Sequence, residues 1–188
     1  MIDTGFGDTA LGPLSATGGI IFPYTPTVFL QHNANYSASQ LTHSNYDHPT
    51  FDSHNVGTIQ VTGQFTANTN AEADYMRAVL HFFRVVTKMF FGQDVDPIAG
   101  TPPPICRFSS HGKYVLTNVP VVVESFSMEL PNGVDYIRTS DGESMMPSST
   151  IVTANLKPTY TRLSTTNEFG LRKFANGDFL LTRNRGFI

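Results

Sequence analysis

The alternation of apolar and polar positions divides the chain into one helix set among strands. Over 58–67, Ile59, Val61 and Phe65 recur at every second position or its multiple, with Thr and Gln between them. That two-residue period predicts a half-buried strand. The period then changes. From 70 to 91 the chain runs without Gly or Pro, and Asp74, Arg77, His81, Arg84 and Lys88 fall three or four residues apart, as a polar stripe on a helix does. Apolar side chains, among them Met76, Val79, Leu80, Phe83 and Val86, cover the rest of its surface. Thr69 and Glu72 have capping-box spacing at the start, and Gly92 stands where a left-handed C-cap would. A helix over 70–91 spans about 33 Å. Its apolar arc is wider than one sheet requires, so cover on more than one side is expected, with Leu80 and Phe83 in the core.

Strand character returns after the linker Thr101-Pro102-Pro103-Pro104. Short strands are expected at 105–108 and 114–116, and a longer one at 119–130 with Val122, Glu124, Phe126, Met128 and Leu130 on one face. Pro131-Asn132-Gly133 is a turn signal, with a return strand at 134–138 and a polar loop at 139–149. Over 149–162, Ile151, Thr153 and Asn155 share one face, and Val152, Ala154, Leu156, Pro158 and Tyr160 the other. Pro158 marks an edge or a bulge. Upstream, 25–32 reads as a short strand, and 33–56, rich in Asn, Ser and His, as a long loop with at most one edge strand. Residues 1–22 read as an N-terminal arm and 163–188 as a C-terminal arm, leaving 23–162 as a single domain. The fold class is mainly β with one long helix (α+β).

Composition narrows the function classes. Of 188 residues, 40% are apolar and 14% charged, against about 25% charged in an average globular protein. Disorder driven by net charge is excluded. A net charge of -3 and a pI near 6.0 speak against an electrostatically driven nucleic-acid binder. Cys106 is the sole cysteine, which rules out an intrachain disulfide framework and a cysteine-based zinc site. No apolar run reaches the roughly 20 residues of a membrane helix, so no membrane insertion is expected. The N-terminus lacks the basic region of a secretory signal.

The charge is unevenly placed. Residues 1–76 hold six acidic groups and no Lys or Arg, whereas 157–188 hold six basic groups against two acidic. Ends of opposite sign on a weakly charged body suit a subunit that docks head-to-tail on copies of itself, and a solvated tail gives the same pattern. Lysine occurs only four times, and interface cores are depleted in Lys.

Motifs for chemistry are absent. There is no G-x-S-x-G, P-loop, G-x-G-x-x-G or H-E-x-x-H. His32, His43, His48 and His54, with Asp47 and Asp52 nearby, are irregularly spaced in a loop-rich segment, which fits a hydrogen-bonded polar loop better than a metal site. Asp141 and Glu143 have no partner base and read as a solvated loop; Cys106 reads as a small buried hydrophobe. No catalytic residue, cofactor or metal ligand is expected, and the chain is not expected to be an enzyme.

A set of word-like segments adds to this reading. Thr87-Lys88-Met89-Phe90-Phe91-Gly92, Gly100-Thr101-Pro102-Pro103-Pro104, Asn118-Val119-Pro120-Val121-Val122 and Leu130-Pro131-Asn132-Gly133-Val134-Asp135-Tyr136-Ile137 occur in this order. In sequence and spacing they resemble tail-tube-like structural proteins at the tube–baseplate junction of contractile-tailed bacteriophages, a likeness that runs over 21–162. The resemblance implies an antiparallel β-sandwich or barrel flanked by the helix at about 70–91, and a ring of copies, a hexamer by preference, around a lumen for DNA. The implied partners are further copies of the chain, the tail tube and baseplate hub proteins, and viral DNA passing without specific binding. The implied location is the virion, after assembly in the host cytoplasm. The chain is shorter than many tube initiators, which leaves tube, initiator and hub adaptor open.

A lumen should be neutral or acidic, because DNA must slide without tight phosphate contacts. Glu124 and Glu129 are therefore the candidate lumen-facing residues. Arg77, His81, Arg84 and Lys88 on the helix, and Arg172, Lys173, Arg183 and Arg185 in the basic end, are the candidate contacts between subunits. The alternative is a peripheral baseplate or tail-fibre β-sandwich that binds a receptor or carbohydrate, which would carry exposed aromatic clusters on its loops.

Overall fold

The computed structural model describes residues 10–91, 100–112, 114–181 and 186–188. It is mainly β, with a curled antiparallel half-barrel sheet. The chain begins with a short helix, α1 (Gly12–Ser15), then β1 (Thr27–Phe29) and a ribbon of β2 (His32–Ser39) and β3 (His48–Val56). β4 (Ile59–Thr66) leads into the principal helix α2 (Asn70–Val86). β5 (Cys106–Ser110), β6 (Leu116–Met128), β7 (Tyr136–Arg138), β8 (Met145–Pro147) and β9 (Ser149–Pro158) follow. Three short helices, α3 (Arg162–Asn167), α4 (Leu171–Ala175) and α5 (Asp178–Leu181), close the chain. The main sheet has the order β1-β4-β9-β6-β5, and β2–β3 and β7–β8 are separate two-stranded pairs.

The period-two expectation for β4 holds. Ile59, Val61 and Phe65 are buried, and their partner strand β9 buries Val152, Ala154 and Leu156 opposite them. Gly63 sits in the same buried row because a Cβ there would run into the Phe22 ring. Phe22 lies over that gap with its centroid 5.0 Å from Phe65. Residues 10–22, expected as an arm, are thereby folded onto the core. Leu14 is buried, Leu11, Ile20 and Phe22 pack beside it, and the Ile21 amide donates to the Tyr75 hydroxyl at 2.8 Å.

β6 corrects the expected face. Val119, Val121 and Val123 are buried, not Val122 and Glu124. The register slips between Val123 and Ser125, so two residues of β6 oppose one interval of β9. Glu124 is the extra residue of this β-bulge. Beyond it the even positions turn inward, and Phe126 and Met128 pack on the core. A period-two reading carries one phase along a strand and cannot detect a bulge that switches it.

α2 opens on the expected capping box. Glu72 N–H donates to Thr69 Oγ1 at 3.3 Å, and the Glu72 carboxylate accepts from the Thr69 amide at 3.3 Å. It ends at Val86, five residues before the expected end. Thr87 caps it, its hydroxyl donating to the Phe83 carbonyl at 2.9 Å. Phe90 turns its backbone outward to 100–101: its N–H donates to Thr101 and its carbonyl accepts from Gly100 at 2.6 Å. These outside partners replace the i→i−4 bonds that would have continued the helix. The Gly92 cap lies outside the described residues. Among the described residues the chain thus has a 17-residue helix over part of the expected 70–91 span and four short helices elsewhere, instead of one long helix. Cover on several sides comes from within the chain, through α1, β6 and the β7–β8 pair. Phe83 is buried as expected, whereas Leu80 is only half-buried.

Two segments depart from the sequence reading altogether. The expected loop at 33–56 is the β2–β3 ribbon, exposed along its whole length except at Val56. The polar C-terminal tail contains α3, α4 and α5, around which Phe169, Phe174, Phe179 and Phe187 cluster with ring centroids 5.1–6.4 Å apart.

Candidate functional site

The solvent face of the sheet is built by the residues that alternate with the core. Cross-strand hydrogen bonds order it. Thr62 and Thr153 hydroxyls lie 3.2 Å apart, Gln64 Nε2 donates to Ser149 Oγ at 2.9 Å, and Asn155 Nδ2 donates to Ser125 Oγ at 2.8 Å. Glu124, the extra residue of the bulge, is exposed and accepts from the Thr58 hydroxyl at 3.1 Å. Glu129 is exposed just beyond β6, where its amide donates to the Ile151 carbonyl at 3.2 Å. Both proposed lumen residues therefore lie beside this wall of hydroxyls and amides. Phe29 and Ile151 interrupt it with half-exposed apolar surface, and Arg107 and Lys157 stand exposed towards its far end.

The cations expected between subunits divide into three groups. Arg77 is taken up within the chain: it bridges Asp74 at 3.5 Å and Asp141 of the β7–β8 connection. Asp74 also accepts from the Ser140 amide at 3.2 Å. The Thr139 hydroxyl, the Glu143 amide and Arg77 together hold the Asp141 carboxyl well below the usual carboxylate range. His81 and Arg84 are exposed on α2 and Lys88 just beyond its end, and Arg172 and Lys173 are exposed on α4. Arg183 and Arg185 lie outside the described residues.

The candidate metal cluster is dispersed along the ribbon. His32 and His54 stack at its base with centroids 5.5 Å apart. Burial, then the neighbouring His54, pushes the His32 pKa down. Among the described residues no group of three or more His, Cys, Asp or Glu side chains is arranged to hold a metal ion. Cys106 lines an apolar groove of about 970 Å³ between the N-terminal segment and β5. Burial raises its pKa, which disfavours the nucleophilic thiolate. None of the described helices is long and apolar enough to cross a membrane.

Sequence reasoning missed the ribbon's aromatic surface. Tyr36 and Phe51 meet edge to face at 5.6 Å across the strands, and Tyr46 in the connection is 81% exposed. A signal was present: His32, Ala34, Tyr36 and Ala38 alternate with Asn33, Asn35, Ser37 and Ser39. The second missed feature is the seat of the C-terminus. β9 ends opposite Val121, so β6 runs on beyond it from Leu116 to Pro120. Gly186 fits against Asn118 and Val119 there, where a Cβ would overlap the Asn118 carbonyl. Tyr160 donates to the Gly186 carbonyl at 2.9 Å and stacks on Phe187 at 5.0 Å. Burial pushes the Tyr160 hydroxyl up to about 12.

Compared with known proteins, the chain matches no family model and no curated relative.

Proposed function

We propose that the chain is a non-enzymatic structural subunit of a phage tail, forming a ring of the tail tube or of its junction with the baseplate around a lumen for DNA. The observation that carries this reading is the solvent face of the curled sheet. It is an ordered surface of Thr, Ser, Asn and Gln with Glu124 and Glu129 beside it. A neutral-to-acidic wall lets a polyanion slide, because it offers few cations to exchange for the counterions of DNA. Two short edge strands, β1 and β5, flank the sheet, and lateral neighbours in a closed ring would cover such edges. Gold-labelled antibodies against the chain should mark the tail tube or its baseplate end in phage particles. Labelling of the fibres alone, or of no particle, would remove this reading.

The exposed Tyr36, Tyr46 and Phe51 favour a second one, a peripheral baseplate or tail-fibre module that stacks aromatic rings on a receptor sugar. Saturable binding to host-surface glycans that is lost in Tyr46→Ala would support the second reading over the first.

A further inference from the structure

The hairpin and the C-terminal segment leave the sheet at the same end but on opposite flanks. The β2–β3 ribbon is rooted between β1 and β4, where Phe29 pairs with Gln60 and the Gly57 amide donates to the Gln31 carbonyl at 2.8 Å. At that same end β9 terminates, with Ile59 opposite Leu156 and Pro158 opposite Val121. The chain then crosses β6, where the Thr159 amide donates to the Pro120 carbonyl at 2.9 Å, and runs into α3 and α4. β4 and β6 are separated by β9 alone, so the two protrusions are offset by two strand spacings, roughly 10 Å.

Their surfaces are complementary. The ribbon and its connection carry Asp47 and Asp52, with no Lys or Arg, beside the exposed Tyr36, Tyr46 and Phe51. The C-terminal helices expose Arg162, Arg172 and Lys173 beside Leu163 and Leu171, both more than 70% exposed. An isolated two-stranded ribbon is marginally stable in water, and among the described residues this one stays exposed along its strands except at Val56. The hairpin therefore presents apolar surface with negative charge, and α3 and α4 present apolar surface with net positive charge, Arg162, Arg172 and Lys173 outweighing Glu168 at the end of α3.

We propose that the acidic, aromatic hairpin of one copy docks on the basic, aliphatic face of α3 and α4 of the next copy. A second copy set beside the first, with its β5 flank towards the other's β1 flank, brings the two surfaces to the same level. The contact is heterologous, because one patch meets a different patch, and repetition of such a contact closes a ring when the rotation permits. Opposite charges on the two patches steer the encounter and fix its orientation. This inference rests on the ring reading and names the contact that builds the ring.

Charge reversal tests it on the full chain by sedimentation velocity, with circular dichroism to confirm folding. Asp47→Lys with Asp52→Lys, and separately Arg172→Glu with Lys173→Glu, should each weaken self-association roughly tenfold or more, since like charges then face each other. All four reversals in one chain should restore it. The neutral pair Arg172→Gln and Lys173→Gln should weaken association less than the reversal does. Rings that persist unchanged in both reversed chains would overturn this contact while leaving the ring reading intact. A folded four-reversal chain that does not recover would also overturn it. An unaltered chain that stays monomeric at every concentration would remove the ring itself.

Discussion

Phe83 is buried between α2 and the sheet, its ring stacked on Phe126 with centroids 5.4 Å apart. Phe83→Ala should cost about 3–5 kcal/mol in urea unfolding, because lost burial and the remaining cavity add. Leu80→Ala should cost clearly less, as Leu80 keeps part of its surface in water. Equal costs would contradict the packing described. At Gly186, φ is +46° and the space for a Cβ is taken by β6 backbone, so Gly186→Ala should lift the C-terminus off its seat. Tyr160 reports the change. Its hydroxyl should titrate near 12 in the unaltered chain and near the ordinary value of about 10 in the variant, followed by ultraviolet absorbance. A raised tyrosine pKa stabilises the fold below about pH 10, and that contribution is lost as pH climbs towards 12. Asp141 has the opposite sign. Its depressed pKa stabilises the fold above the ordinary carboxylate pKa of about 4, and the contribution fades as pH falls below it. Asp141→Asn should therefore flatten the acid limb of a stability–pH curve; an unchanged limb would contradict the Arg77–Asp141 latch.

At the scale of elements, β4, β9 and the start of α2 were legible because each carries one uninterrupted period and a local signal, such as Thr69 with Glu72. What stayed hidden depends on partners distant in sequence. The end of α2 is set by backbone bonds between Phe90 and 100–101, and the phase of β6 by an extra residue that only its pairing with β9 reveals. The ribbon was obscured because its strands bury no face, so its alternation of Ala and Tyr with Asn and Ser looked like loop composition. Glu124 gives this scale its test. Deleting it removes the bulge but leaves Ser125 directly after Val123 and opposite Asn155, so Phe126 and Met128 stay inward. The chain lacking Glu124 should therefore still unfold cooperatively, whereas deleting Ser125 as well turns Phe126 and Met128 outward and should leave the chain insoluble or unable to unfold cooperatively. A double deletion as stable as the single one would contradict the assigned register.

At the scale of the molecule, the two ends of opposite charge were visible in the sequence, but their placement was not. They come together at one end of the sheet only through the strand order β1-β4-β9-β6-β5. The solvent-facing wall was half-legible: Glu124 and Glu129 lie beside it, though Glu124 does not share a face with Phe126 and Met128, because the bulge switches the phase between them. Among the described residues the ribbon contributes no side chain to the core cluster, so replacing 33–55 with a short Gly-Ser turn should leave the melting temperature of the body nearly unchanged. The same change should abolish self-association in sedimentation velocity. The central claim, that this sheet forms part of the wall of a ring, is tested most directly by single-particle class averages of the purified, self-associated chain. The account predicts closed rings of uniform copy number around an open centre. Isolated monomers, or compact particles without a central hole, would contradict it.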